Sequence, residues 1–367
     1  MSEIDSKSLE TTPKRFVVRA TRAELPGANL IIAGLGVTER SAKQLARTGV
    51  PIVIATDGSL KLPPSLPRNV EVRRVDAAAP DAGVEALIAA EPHTVVVAGD
   101  VFRRQGEAWS AGQRIVDARS RGDAEDAVFA DLLRGDLGLI ARHINKKISF
   151  RITRYVLCHL KVTPNQVTLG AAALGFLGCV FLASGNYWTM AFGLVLAQLQ
   201  SVLDGCDGEL ARVRFQQSAI GEWLDSLMDD FLNLCLVAAL GIGMWRHGWG
   251  SWAAFCGGLT ATMFLIYNLV SYRELRLQGV GGELLKIRWK INGGRDMKAL
   301  WATPGGISRT RKIVLTLGRR DTFVFAWLVL GILNLYPVIL GWAFLVALPC
   351  VVTAIAQLVM PAVAPTS

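Results

Sequence analysis

The chain has 367 residues, 51% of them apolar, and a formal net charge of +9, with a mean hydropathy of +0.37. That apolar content excludes an ordinary soluble protein, and the length allows two domains. The six cysteines (Cys158, Cys179, Cys206, Cys235, Cys256 and Cys350) lie in or beside apolar runs without a C-x-x-C pair. This spacing argues against a disulfide framework or a zinc site and leaves them as small buried hydrophobes.

Residues 1–26 are polar and read as a flexible tail with no cleavable signal peptide. Over residues 27–135, strand-like runs at Leu30–Ala33, Pro51–Ala55, Val70–Val75 and Thr94–Val97 alternate with helical stretches at Ser41–Arg47 and Gly83–Ala90. Such alternation predicts an α/β domain with a mostly parallel sheet, binding ligands at strand ends such as Gly34, Gly36 and Asp100. Residues 136–162 hold a basic amphipathic segment, Arg142–Arg154, in which Ile144, Ile148 and Ile152 recur at helical spacing. It reads as a helix lying on the membrane surface against anionic headgroups.

Residues 163–362 open with the helix-start sequence Thr163-Pro164-Asn165 and then show apolar runs at 166–184, 187–203, 223–245, 251–272, 321–336 and 338–360. These lengths suit membrane crossing. Cations gather at 142–161, around Arg212–Arg214 and from Arg273 to Arg320, whereas Tyr187, Trp188, Trp245, Trp249 and Trp252 mark the sparsely charged ends. The positive-inside bias places the N-terminal domain and both termini in the cytoplasm of a multi-pass protein of the cell inner membrane. The expected fold is therefore multi-domain: a soluble α/β domain followed by an all-α membrane domain of six transmembrane helices. Membrane flanks and phosphate-bearing substrates account for the basic charge, with no nucleic-acid partner.

Four carboxylates interrupt this apolar region. Asp204 and Asp207 are spaced i,i+3 and Asp225 and Asp229 i,i+4, so each pair lies on one helix face. Ionisable groups near membrane depth mark function. Facing pairs would repel unless cations sat between them, and oxygen donors suit Mg²⁺, Mn²⁺ or Ca²⁺. Gly205, Gly208 and Ala211 leave one side of the helix bare, and Arg212 supplies a cation matched to phosphate. Metal, phosphate and arginine together indicate phosphoryl transfer. A cation transporter would also place carboxylates in the membrane, but these lie at span ends. Glu222 and Asp230 stand outside the pattern, Asp230 as a solvated or supporting neighbour.

The sequence Asp204-x-x-Asp207-Gly208-x-x-Ala211-Arg212, followed by Gly221-x-x-x-Asp225-x-x-x-Asp229 after eight residues, resembles the full signature of the CDP-alcohol phosphotransferases. The resemblance covers residues 140–360 and includes Thr163-Pro164-Asn165-x-x-Thr168. It implies displacement of CMP from a CDP-alcohol by an acceptor hydroxyl, in phospholipid synthesis, by a homodimer using Mg²⁺ or Mn²⁺. It further implies that Asp204, Asp207, Asp225 and Asp229 hold the metal and that Asp229 is also the catalytic base. Asn165, Thr168, Gly208, Ala211, Arg212 and Gly221 would contact the cytidine and phosphates. The donor is CDP-diacylglycerol or a CDP-polyol. A polyol phosphate acceptor, such as inositol phosphate, would need cations, for which Arg151, Arg154, Arg273 and Arg276 are candidates with Lys146 and Lys147. The first domain loosely resembles the sugar-phosphate nucleotidyltransferase-like domain of some family members. Ala33-Gly34-Leu-Gly36 is followed by Val37-Thr-Glu, without the basic residue and Pro-Lys of a nucleotide-cradling loop. Those departures imply a degenerate domain with a regulatory or structural role.

Overall fold

The computed structural model describes residues 15–20, 31–32, 35–56, 66–76, 79–90, 94–98, 101–102, 113–115, 118–132, 144–280, 284–294 and 318–360. The chain divides into two compact units, the first comprising Met1–Asp136 with Arg154–Leu160 and Arg212–Gln216.

The first unit is built on strands β1 (Arg15–Ala20), β4 (Ile52–Thr56), β5 (Val70–Arg74) and β6 (Thr94–Ala98). They form one parallel sheet in the order β5-β4-β1-β6. Short antiparallel pairs join β2 (Ile31–Ile32) to β3 (Leu35–Gly36) and β7 (Val101–Phe102) to β8 (Gln113–Arg114). The helices are α1 (Val37–Ala46), α2 (Pro80–Ala89) and α3 (Ala118–Leu132). Phe16, Val18, Ile52 and Ile54 pack with Ala42 and Leu45 of α1 on one face, and Val17, Val53 and Ala55 with Val84 and Leu87 of α2 on the other. A parallel sheet covered on both faces explains why these strands read as unbroken apolar runs. Its central strand, β1, lies inside the stretch expected to be a flexible tail, so that expectation is corrected over Arg15–Ala20. The candidate ligand positions Gly34 and Asp100 lie outside the described residues.

In the same unit, Arg40 is buried and its Nη2 donates to the Val213 carbonyl at 2.9 Å. Burial pulls its pKa down to about 10, which leaves it cationic at neutral pH. Arg40 and Arg47 stand over the Phe215 ring at 5.5 and 4.8 Å, within cation–π range.

The second unit is helical: α4 (Lys146–Tyr155) as far as Thr153, α5 (Pro164–Leu182), α6 (Tyr187–Val213) as far as Ala211, α7 (Ala219–Met244), α8 (Ser251–Gln278), α9 (Arg320–Ile332) and α10 (Tyr336–Val359). A reciprocal capping box between Thr163 and Gln166, with Pro164 in the first turn, starts α5 as the sequence indicates. Leu182, Met190, Leu194, Leu236, Leu240, Tyr336 and Ile339 form the interior. Val180, Phe255, Leu269 and Leu345 are each more than half exposed, the outward apolar surface of a protein whose surrounding solvent is lipid.

Among the described residues, five helices (α5, α6, α7, α8 and α10) are long and apolar enough to cross a membrane. The sixth expected span, 321–336, corresponds to α9, which has 13 residues. At ~1.5 Å per residue it rises about 20 Å, short of the ~30 Å hydrocarbon core. The chain turns at Asn334, with φ of 58°, before α10 begins. Among the described residues, five of the six expected spans are thus matched by long apolar helices, and the sixth is matched only by the short α9. In the basic loop after α8, Trp289 stacks on Tyr267 at 5.7 Å, and Lys290 Nζ donates to the Met360 carbonyl at 2.6 Å.

Candidate active site

The acidic sequence runs from the end of one helix into the start of the next: α6 continues unbroken from Tyr187 to Val213. Asp204 and Asp207 lie in its last third. Helix α7 starts beyond Ser218, whose hydroxyl accepts from Gly221 N at 3.0 Å, a cap satisfying an N-terminal amide. Its early turns carry Asp225 and Asp229.

The fold brings Asp204, Asp225 and Asp229 together: each offers a carboxylate oxygen, and these oxygens lie within 4.8 Å of one another. Asp207 faces a different partner. Its Oδ2 accepts from Thr168 Oγ1 of α5, and its Oδ1 from the Gly208 amide. Asn165 and Gly221, far apart in sequence, are neighbours, because a β-carbon on Gly221 would stand 3.1 Å from Asn165 Oδ1. The close approach accounts for glycine there.

Arg320, at the start of α9, is the group that sequence reasoning missed. Its Nη1 pairs with Asp229 and lies 3.5 Å from Asp204 Oδ2. Its Nη2 donates to Gln200 Oε1 at 2.7 Å, and Gln200 Nε2 reaches Asp204 Oδ1 at 3.5 Å. The guanidinium neutralises one of the three clustered charges, leaving two. Asp225 Oδ1 is buried without a hydrogen-bond partner. An orphaned carboxylate oxygen beside two uncompensated charges, with oxygen donors alone, fits a divalent cation. Asp230 is not in this cluster; Tyr272 OH donates to its Oδ2 at 2.5 Å.

Arg212 occupies the last turn of α6 and Ala211 precedes it, half-buried. The four candidate acceptor cations are dispersed. Arg151 is exposed on α4. Arg154 lies in the first unit, paired with Asp126 and with Glu125 at 3.6 Å. Burial lowers the Arg154 pKa, but its hydrogen bond to Asp126 together with the negative charges of Asp126 and Glu125 outweighs burial, and the net direction is upward. Arg273 donates to Glu274 at 2.7 Å, and Arg276 is exposed in the last turn of α8.

Three relatives show where the likeness lies. The bifunctional IPC transferase and DIPP synthase of Aquifex aeolicus is 31% identical over 159 residues, 43% of this chain and 35% of that protein. The protein of the same name from Archaeoglobus fulgidus is 32% identical over 192 residues, 51% of this chain and 34% of that one. Inner membrane protein YnjF of Escherichia coli is 39% identical over 101 residues, 27% of this chain and 47% of that protein. The chain thus spans about a third of the length of the two bifunctional relatives. Residues 161–353, more than half of the chain and all of the acidic cluster, match the family model described as CDP-alcohol phosphatidyltransferase. With five membrane-length helices among the described residues and a carboxylate cluster that could hold a cation, the chain belongs to the CDP-alcohol phosphatidyltransferase family.

Proposed function

We propose that this protein displaces CMP from a CDP-alcohol by the hydroxyl of an acceptor alcohol, as a step of phospholipid synthesis. The meeting of Asp204, Asp225 and Asp229 with Arg320 is the observation that carries the reading. Asp204, Asp207, Asp225 and Asp229 are the residues to hold Mg²⁺ or Mn²⁺, with Thr168 orienting Asp207. When bound, the metal neutralises diphosphate oxygens and stabilises the departing CMP.

The chain's own groups supply the rest. Asp229 takes the proton of the acceptor hydroxyl, whose oxygen forms a bond to the distal phosphorus of the diphosphate. The bond from that phosphorus to the CMP oxygen breaks, and CMP leaves with the electron pair. Asn165, Thr168, Gly208, Ala211, Arg212 and Gly221 take up the cytidine and its phosphates, where the bare Gly221 leaves room. On the acceptor side, the exposed Arg276 fits a phosphate better than Arg154, which Glu125 and Asp126 already engage, or Arg273, which Glu274 engages. Arg151 remains open to solvent on α4.

The cation-rich loops support a site at the cytoplasmic face of an inner membrane, in keeping with the name of the Escherichia coli relative. Counting α9 as a short sixth span leaves both ends on that side, and the working unit is a homodimer. The N-terminal unit has a regulatory or structural role.

The test is CMP release by purified protein in detergent with Mg²⁺ or Mn²⁺. CDP-diacylglycerol with a polyol phosphate tests phosphatidyl transfer. A CDP-polyol with an alcohol acceptor tests the arrangement suggested by the relatives' IPC transferase and DIPP synthase names. Release in either arm supports the reading and identifies the donor. Absence of CMP in both arms contradicts it.

A further inference from the structure

Helix α6 carries one more carboxylate, Glu209, which the transfer chemistry does not use. It is fully buried, at 0% exposure, where an unpaired charge is costly. Three donors meet it, all from α4. Lys146 Nζ and Ser149 Oγ reach Oε1 at 2.8 and 2.6 Å, and Thr153 Oγ1 reaches Oε2 at 2.8 Å. Asn145, just before α4, accepts from Gln198 Nε2 of α6 at 2.9 Å. A β-carbon on Gly205 would stand 3.3 Å from Lys146 Nζ, so the small residue lets α4 approach.

Asn145, Ser149 and Thr153 are four residues apart and all buried, whereas Ile148 is 42% exposed. The amphipathic helix therefore turns its polar stripe towards the protein and leaves Ile148 outward, while Ile144 and Ile152 are half-buried. Glu209 follows Asp207 by two residues, roughly 200° around the helix at 3.6 residues per turn. Helix α4 thus grips the side of α6 opposite Asp207.

We propose that Glu209 is a positioning residue: its latch to Lys146, Ser149 and Thr153 sets the rotation of α6 and so aims Asp204 and Asp207 at the carboxylates of α7. This rests on the transfer reading, in which those carboxylates act together. It also makes Lys146 a cation of the latch and not an acceptor contact.

The test uses the full chain in detergent and compares Glu209→Ala, Glu209→Gln and the α4-side double variant Ser149→Ala/Thr153→Val. Steady-state CMP release, Mn²⁺ titration followed by electron paramagnetic resonance, and melting temperature are measured on each. Glu209→Ala is expected to lower kcat about tenfold or more with donor KM within roughly threefold, as misaligned groups do. It is expected to weaken Mn²⁺ binding as well. Glu209→Gln, which keeps the hydroxyl contacts, recovers most of both, and the α4-side variant shows a milder loss of the same kind and carries the test if Glu209→Ala does not fold. Lower melting temperatures with kcat and Mn²⁺ affinity within roughly twofold of the parent, a difference too small to mark lost alignment, would overturn the latch. If the parent itself releases no CMP, the transfer reading falls separately; the latch then stands if Mn²⁺ binding weakens in these variants and falls if it does not.

Discussion

Arg320 places Nη1 3.5 Å from Asp204 Oδ2 while pairing with Asp229, so one guanidinium ties together α6, α7 and α9 at the carboxylate cluster. Its second nitrogen on Gln200 fixes the plane of the group. An arginine fork of this kind is not replaced by a lysine point charge.

Arg320→Ala is expected to lower kcat by about 10²-fold, the scale of losing one preorganised charge contact. Because the carboxylates then lack their internal counter-charge, Mn²⁺ affinity should rise in the same variant. Arg320→Lys should recover little of the rate. Kinetics and Mn²⁺ titration on one preparation check the opposed directions.

Thr168→Val removes the hydroxyl that donates to Asp207 while keeping the shape of the side chain. With that orienting bond gone, kcat should fall roughly tenfold, with little change in melting temperature. Steady-state assays alongside thermal denaturation check this.

Gly221→Ala adds a β-carbon 3.1 Å from both Asn165 Oδ1 and Ser218 Oγ. Alanine suits a helix, so the penalty should appear as weaker donor binding through a displaced Asn165. A KM for the CDP-alcohol raised about tenfold, with kcat changed less, is the expected outcome.

The motif was legible because helical spacing alone puts Asp204 with Asp207 and Asp225 with Asp229 on common faces. What lies across the fold was not. Arg320 sits 120 residues from its partner Gln200 and in sequence looks like one more cation of a basic loop. Glu209 is hidden in the same way among charged neighbours, although a carboxylate so close to membrane depth was a signal that it needed a partner. The isoleucine periodicity located α4 correctly, but the buried stripe is Asn145, Ser149 and Thr153, since a polar partner on α6 outcompetes apolar packing there. Strand β1 escaped because Arg15 and Arg19 flank the apolar Phe16-Val17-Val18 that fills the centre of the sheet. Both cations sit at half-buried positions, and Arg15 Nη2 donates to the Leu87 carbonyl.

Metal-dependent CMP release by the parent and by Asp229→Asn tests the central claim most directly. The parent should release CMP from a CDP-alcohol with Mg²⁺ or Mn²⁺, lose this activity with a chelator and regain it on adding the metal back. Asp229→Asn, which keeps the shape but cannot take the acceptor's proton, should fall by about 10²–10⁴-fold. Full activity in Asp229→Asn, or CMP release unaffected by the chelator, would contradict the account.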